Sequence, residues 1–296
     1  MCERSHMTPR IVSVGDNVVD CYLAQGLMFA GGNTLNVSVF AARTGVTASY
    51  LGAISRDAAG RHILEALTAE NVDVSRLRVV EGTTAYCIVG HRDGDRVFLT
   101  SDLGVSRFAL TAADLEFVGG HDVAHIGQSS GLDSALEDVA SRTRLSYDFA
   151  TRRDEDHLRR VAPQCYLASF SGGDLTETDA RELAERAVQL GAVWALVTRG
   201  SQGAVLAGAE GTRIASAAPA DVTDTLGAGD TFIARSLVGL LRGESPDELL
   251  AAAARRAADT CARLGAFGHG TPISHEILSA HPELIPTTAQ EGATHD

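Results

Sequence analysis

The sequence predicts an α/β protein built on a doubly wound parallel sheet, with a second, smaller β sheet attached to it. Short apolar segments alternate with amphipathic segments along most of the 296 residues, which is typical of repeated strand–helix–strand units. The segment 83–100 departs from this alternation, because two strand patterns flank an Asp-Gly turn pair there. We therefore expect one domain over 11–275, with flexible termini at 1–10 and 276–296.

In the first half of the chain, apolar runs and the glycines that end them predict the elements. The run 11–15 (IVSVG) is a short strand that ends at a glycine. Asp16, Asn17 and Asp20 follow it, and polar groups at the carboxyl end of such a strand favour a ligand site. The remaining predictions are a helix opened by Gly31-Gly32 and ended by Gly45, a strand at 48–52, a helix near 58–70 and the hairpin at 83–100.

The alternation of strands and helices resumes after residue 121. Strands are predicted at 123–126, 145–149, 165–168, 193–197 and 203–207. Helices are predicted near 132–142, 154–161, 176–190, 228–242 and 246–264.

The charged residues exclude several classes of protein. The 38 acidic and 25 basic residues leave a formal net charge of −13, so we expect no binding to nucleic acid. Every basic residue is arginine. A P-loop, a protein kinase and a pyridoxal phosphate enzyme each need a lysine, so the sequence excludes all three.

The cysteines and apolar runs indicate the compartment. None of the five cysteines forms a Cys-x-x-Cys pair, which favours reduced thiols in a cytoplasmic protein. His121 and His125 are four residues apart without the surroundings of a metal motif. Since no apolar run approaches the length of about 18 residues needed to span a bilayer, we expect no association with a membrane.

The stretch 224–232, DTLGAGDTF, carries the strongest chemical signal. Gly227, Ala228 and Gly229 precede an apolar helix, and the unpaired amides at a helix start can hold an anion. Asp230 would repel that anion, so its presence favours a reaction in which it accepts a proton from an attacking hydroxyl. A capping turn is the structural alternative for a shorter Gly-x-Gly-Asp.

The same stretch resembles the signature Asp-Thr-x-Gly-Ala-Gly-Asp-x-Phe of the PfkB (ribokinase-like) family of sugar kinases. The segment 31–37 (GGNTLNV) is similar to the first motif of that family, and 197–204 (VTRGSQGA) is similar to its nucleotide loop. The resemblance covers about 11–273. It implies a ribokinase-like three-layer α/β fold, ATP and Mg²⁺ as cofactors, and a β lid over the sugar formed by about 16–30 and 83–100.

The resemblance also implies roles for individual residues. Asp230 would be the catalytic base, and Gly227, Ala228 and Gly229 would form the anion hole. The implied sugar-binding residues are Asp16, Asp20, Gly31, Gly32, Asn33 and Asn36. The implied nucleotide-binding residues are Thr198, Gly200, Gly203 and Asp224, with a monovalent cation such as K⁺ near Asp224 and between Gly265 and Gly268. For Asp20, Asn36 and Thr198 an ordinary capping or strand-end role is the alternative.

Two departures from the family pattern bear on the metal and the phosphates. The chain has no asparagine after Asn71, so the Asn-x-x-Glu motif that helps many relatives to organise magnesium is absent. Ser169, Ser171 and Asp174 are the available replacements. Arg199 and Arg235 stand where relatives usually carry a small or apolar residue. The sequence assigns Arg235 no role, whereas Arg199 could reach a phosphate.

Within the family, the details are most similar to fructoselysine 6-kinases. The similar segments are 15–20 (GDNVVD), 95–98 (DRVF) and 265–268 (GAFG). The expected reaction is transfer of the γ-phosphoryl group of ATP to a primary hydroxyl of a fructosamine. The alternatives are a kinase of a plain sugar or nucleoside and a non-catalytic sensor of nucleotide or sugar. An exposed lid edge favours a homodimer.

Overall fold

The structure is a computed structural model that describes residues 8–92 and 95–284; the side chains of 91–92 and 95–98 also lie outside the description. The tip of the predicted hairpin, Asp93-Gly94, is therefore outside the described residues.

An eight-stranded sheet forms the centre of the fold, in the order β14-β13-β12-β11-β10-β9-β1-β4. Six of its strands are mutually parallel, and β13 and β14 are added as an antiparallel edge. The strands are β1 Arg10–Val14, β4 Thr47–Leu51, β9 Val123–Gly127, β10 Arg144–Asp148, β11 Cys165–Ser171, β12 Trp194–Thr198, β13 Ala204–Gly208 and β14 Gly211–Ala215.

The order of the strands reverses at β1. The chain passes from β1 to β4 on one side and later returns to place β9 on the other side. In doubly wound sheets, ligands bind outside the carboxyl ends of the strands at such a reversal. The candidate site should therefore lie at the ends of β1, β9 and β10.

The helices cover both faces of this sheet and give two apolar cores. One core contains Leu35, Phe40, Leu237 and Leu249, and the other contains Ile126, Tyr147, Phe170 and Ala184. The helices are α1 Asn33–Ala42, α2 Ala58–Ala69, α3 Ala112–Gly119, α4 Leu136–Ala140, α5 Glu155–Val161, α6 Glu177–Gln189, α7 Ala228–Arg242, α8 Pro246–Cys261 and α9 His275–Ala280.

The smaller sheet has five strands in the order β15-β3-β2-β7-β8. Its strands are β2 Val18–Tyr22, β3 Leu27–Gly31, β7 Tyr86–Arg92, β8 Asp95–Asp102 and β15 Thr271–Pro272. The two segments predicted to form a lid thus pair with each other, β2 with β7 in parallel register. A two-stranded sheet of β5 Ala53–Ile54 and β6 Arg78–Val79 completes the strands of the described residues.

Several elements differ from the sequence predictions. The sequence reading did not predict α3, β14 and β15. The helix expected near 132–142 is a short 3₁₀ turn followed by α4, and the last helix of the 228–264 region ends at Cys261. Helix α9 lies partly in the tail expected to be flexible from residue 276, because Ser274 caps its start and Ile277 is buried. Among the described residues, no helix combines the length and the apolar character that crossing a membrane requires.

Candidate active site

Asp230 lies in the first turn of α7, at the carboxyl edge of the central sheet. Its Oδ2 accepts a hydrogen bond of 2.7 Å from Asn36 Nδ2, and its Oδ1 accepts one of 2.8 Å from Asn33 Nδ2. Burial and the nearby charge of Asp16 raise the pKa of Asp230 to about 6, against the opposing effect of the two amides. A carboxylate whose pKa lies near neutrality is suited to accept a proton.

The turn before Asp230 presents backbone amides to the same space. Gly227 is the N-cap of α7 and adopts a left-handed conformation, with φ of 78°, which favours glycine. Among the described residues, the amides of Gly227, Gly229 and Asp230 have no hydrogen-bond acceptor, whereas Ala228 donates to Thr225 O at 3.3 Å. The backbone amides that remain free to bind an anion therefore include the amide of Asp230. The amide of Ala228 already donates a long hydrogen bond.

Gly229 faces open space. A Cβ built at this position would meet no atom within 4 Å, whereas a Cβ at Gly227 would come within 2.6 Å of Ala266 Cβ. Packing therefore explains the glycine at 227 but not the glycine at 229. The open space above Gly229 leaves room for a group that approaches the backbone closely, as an anion does at a helix N-terminus.

Asn33 connects Asp230 to a second buried acid, Asp148. Asn33 Nδ2 also donates to Asp148 Oδ2, at 2.9 Å. Asp148 is the last residue of β10 and is only 6% exposed, and its Oδ1 accepts from the amide of Ala150 at 3.0 Å. Burial, together with the charges of Asp230 and Asp16, raises the pKa of Asp148 to about 7. The sequence analysis did not single out this acid.

His125 holds Asn33 from the other side. His125 Nε2 lies 3.2 Å from Asn33 Oδ1, and its Nδ1 lies 3.0 Å from Ser146 Oγ. The fully buried ring has its pKa lowered to about 3 by burial and is therefore neutral. Because Nδ2 of Asn33 must face the two carboxylates, Nε2 of His125 carries the proton and Ser146 donates to Nδ1.

The sugar-binding candidates of the first motif lie around the same point. Asp16 Oδ2 accepts from the amide of Asn33 at 3.0 Å, and Asp16 Oδ1 accepts from Ser130 Oγ at 2.8 Å. Asp20 lies on β2 directly over Gly31, where an added Cβ would come within 2.4 Å of its carboxylate. A Cβ at Gly32 would come within 2.8 Å of Asn17 Cα. The two glycines thus let the smaller sheet approach the start of α1.

The nucleotide-binding candidates lie further along the same edge. Thr198 ends β12, and its hydroxyl donates weakly to Phe170 O at 3.4 Å. Gly200 and Gly203 flank the turn into β13, and both have positive φ. Arg199 is buried in this turn, where it donates to Leu175 O at 3.3 Å and to the side chain of Gln202. These hydrogen bonds from Arg199 therefore stabilise the turn.

Asp224 is hydrogen-bonded to the smaller sheet, to the glycine turn and to the loop that follows α8. Its carboxylate accepts hydrogen bonds from Tyr22 Oη at 2.5 Å, from the amide of Leu226 at 3.0 Å and from the amide of Gly265 at 3.1 Å. These bonds place the start of the glycine turn against the lid strand β2 and against the loop that was expected to hold a cation. The carboxylate oxygens are thus already engaged.

The residues named as replacements for the missing motif do not form a metal cluster. Asp174 pairs with Arg153 at 2.7 Å, and the hydroxyl of Ser169 donates to Tyr147 O at 3.3 Å. Across the described residues, no group of three or more His, Cys, Asp or Glu side chains is arranged to hold a metal ion. Arg235 forms an ion pair with Glu244 at 2.6 Å.

Asp148 and His125 are the site residues that the sequence analysis missed. A signal existed for Asp148, because it is an acid at the end of an apolar strand, as Asp16 is. His125 lies inside an apolar strand, and no pattern in the sequence separates a histidine that supports a site from one that fills a core.

Comparison with known proteins identifies the family to which the chain belongs. The profile of the pfkB family carbohydrate kinases matches residues 7–269. Fructosamine kinase FrlD of Bacillus subtilis (strain 168) is 40% identical over 272 residues, which cover 90% of this chain and 96% of that protein. Fructoselysine 6-kinase of Escherichia coli (strain K12) is 30% identical over 87% of this chain and 99% of that protein.

Solved structures resemble the fold. Ribokinase of Arabidopsis thaliana, complexed with ribose and ATP, superposes with a TM-score of 0.77 at 23% identity and covers 89% of this chain and 96% of that one. Ribokinase of Thermotoga maritima superposes with a TM-score of 0.75 at 18% identity, over 93% and 99% of the two chains. The prediction of a ribokinase-like α/β fold is confirmed.

Proposed function

The chain belongs to the pfkB family of carbohydrate kinases, and from this premise we propose that it transfers the γ-phosphoryl group of ATP to the 6-hydroxyl of a fructosamine such as fructoselysine. The observation that carries the chemistry is the carboxylate of Asp230, held by two asparagine amides beside unpaired backbone amides. The fructosamine rests on the two relatives at 40% and 30% identity, whose names specify fructosamine and fructoselysine.

In the proposed reaction Asp230 acts as the general base. The primary hydroxyl gives its proton to Asp230 while its oxygen forms a bond to the γ-phosphorus and the bond to the ADP oxygen breaks. The amides of Gly227, Gly229 and Asp230 would bind the transferring group and stabilise its charge. The sugar would lie over Asp230, between the start of α1 and the lid.

The proposed sugar contacts come from groups that surround this space. Asn36 Oδ1 and Asn17 Oδ1 are buried acceptors without a hydrogen-bond partner among the described residues, and buried polar atoms of this kind are often found at functional sites. Asp16, Asp20, Gly31, Gly32 and Asn33 remain proposed contacts. Thr198, Gly200, Gly203 and Asp224 remain proposed for the nucleotide.

The proposed cofactors are ATP, Mg²⁺ and K⁺. ATP follows from the kinase family. Since the described acids do not form a metal cluster, Mg²⁺ would be held mainly by the phosphates of ATP. For K⁺, Asp224 is already hydrogen-bonded, so backbone carbonyls between Gly265 and Gly268 would have to supply the ligands.

We propose that the segments 16–30 and 83–100 act as a lid that excludes water from the transfer, within one kinase domain over 11–275. We also propose a homodimer through this lid, because β8 is an edge strand and Leu99 and Leu103 are 39% and 53% exposed. ATP as donor and four described cysteines without disulfides suit a cytoplasmic enzyme.

The test is ADP release with MgATP against a panel of fructoselysine, other fructosamines, fructose, ribose, 2-keto-3-deoxygluconate and adenosine. We expect selective turnover of a fructosamine. Selective turnover of fructose or ribose would keep the role of Asp230 and contradict the substrate. Absence of turnover across the whole panel would contradict the proposed activity.

A further inference from the structure

We propose that Asp148 is a positioning residue of the phosphoryl transfer: through the amide of Asn33 it orients the carboxylate of Asp230. This inference rests on the proposed role of Asp230. It adds a residue that neither the glycine turn nor the first motif contains.

The first argument is the sharing of one donor. Asn33 Nδ2 carries two hydrogens, and it donates to Asp148 Oδ2 at 2.9 Å and to Asp230 Oδ1 at 2.8 Å. An amide that bonds two carboxylates cannot rotate without losing one of them. Asp148 therefore fixes the direction in which Asn33 presents its other hydrogen to Asp230.

The second argument is that the support of Asn33 is itself rigid. His125 and Ser146 are fully buried. Ser146 is hydrogen-bonded to His125, and His125 is hydrogen-bonded to Asn33 Oδ1. The second oxygen of Asp148 is bound by the amide of Ala150. Asn33, His125 and Asp148 thus each have hydrogen-bond partners for their polar atoms. A buried polar network whose members are all hydrogen-bonded holds one geometry.

The third argument is electrostatic. Two carboxyl groups that share one nitrogen are close, and a negative charge on either one disfavours ionisation of the other. The titratable groups that face the pair are Asp16, from the loop after β1, and His125, from β9. From α1 and β11, the neighbours among the described residues are the uncharged Asn33, Asn36 and Ser169. Burial and the charges of Asp230 and Asp16 raise the pKa of Asp148 to about 7. Burial and the charge of Asp16 raise the pKa of Asp230 to about 6, against the opposing effect of Asn36 and Asn33.

The experiment compares wild type with Asp148→Asn, Asn33→Ser and the matched control Asp138→Asn, an exposed acid on α4. Two quantities are measured: the acid limb of kcat/KM for the sugar that the wild type phosphorylates, and the carboxyl titration of Asp230 by NMR with ¹³C-labelled aspartate. Asp230→Asn identifies the Asp230 signal in the wild type. The titration is independent of activity, so it tests the pair even if the substrate panel fails.

In Asp148→Asn the single amide oxygen cannot accept from both Ala150 and Asn33, as the two carboxyl oxygens do, so the hydrogen bond from Asn33 to Asp230 should weaken. We therefore expect the pKa of Asp230 to rise, because that hydrogen bond lowers it, and kcat/KM to fall about tenfold or more, with its acid limb moved to higher pH. Asn33→Ser keeps both acids but removes the side-chain amide that donates to both of them. It should lower kcat/KM and raise the pKa of Asp230, and it provides the test if Asp148→Asn does not fold. An Asp230 titration and pH profile in these variants that match wild type and Asp138→Asn would overturn the proposal.

Discussion

The hydroxyl of Tyr22 donates a hydrogen bond of 2.5 Å to the carboxylate of Asp224. Tyr22 ends the lid strand β2, and Asp224 opens the glycine turn that leads to Asp230. One contact therefore joins the smaller sheet to the turn that would bind the transferring phosphoryl group.

Tyr22→Phe should remove this link with little change in shape. We expect the free energy of unfolding to fall by about 1–2 kcal/mol, because a buried carboxylate loses a hydrogen bond, and we expect kcat/KM to fall as well. Urea unfolding and steady-state kinetics measure the two effects. Tyr166→Phe, which alters a partly buried tyrosine on β11, is the control. Equal stability of both variants would contradict the link.

Gly229→Ala should separate activity from stability. A Cβ at this position meets no protein atom within 4 Å, so we expect an unchanged or slightly higher free energy of unfolding. The methyl group would occupy the space proposed for the phosphoryl group, and kcat/KM should fall about tenfold or more.

Gly227→Ala is the matched comparison for that variant. Its Cβ would come within 2.6 Å of Ala266 Cβ, at a φ of 78°, so thermal unfolding should show clear destabilisation. If Gly229→Ala is destabilised to the same extent, the space above Gly229 is required for folding, and the proposed anion hole loses its support.

Asp230→Asn should abolish most turnover while sparing the binding of ATP. The loss expected for a general base is about 10²–10⁴-fold in kcat. Isothermal titration with a non-hydrolysable ATP analogue checks that the nucleotide still binds. Turnover within a factor of two of wild type would remove the proposed mechanism.

The pH dependence of kcat/KM should show an acid limb. Burial, with a contribution from the charge of Asp16, raises the pKa of Asp230 to about 6. A base must be deprotonated to act, so kcat/KM should fall as the pH drops below about 6. Coupled assays over a wide pH range measure this limb. A profile that is flat down to pH 4.5 would show that no such base limits the reaction.

Asp148→Asn should change how stability depends on pH. Burial raises the pKa of Asp148 from 3.8 to about 7 in the folded protein, so the cost of the buried charge appears as the pH rises between these two values. The variant lacks this charge. Its melting temperature relative to wild type should therefore be higher at pH 8 than at pH 5. Parallel curves for the two proteins would show that Asp148 is not perturbed.

Much of this protein could be predicted from local pattern. Short apolar runs, some of them ended by a glycine, located all six parallel strands of the central sheet, because strand composition and turn residues are local features of the sequence. The stretch DTLGAGDTF placed an acid in the first turn of a helix, and Asp230 is there. The missed elements, such as α3 and the edge strand β14, carry weaker patterns.

Only the tertiary structure decided which side chains meet. Asn33 and Asp148 are 115 residues apart, and Tyr22 and Asp224 are 202 residues apart, yet each pair is in direct contact. The order of the strands brings the ends of β1, β9 and β10 together, and that order depends on packing over the whole chain. The sequence by itself thus determined the acid that we propose as the base and its glycine turn, whereas the tertiary structure decided which second acid and which histidine lie beside them.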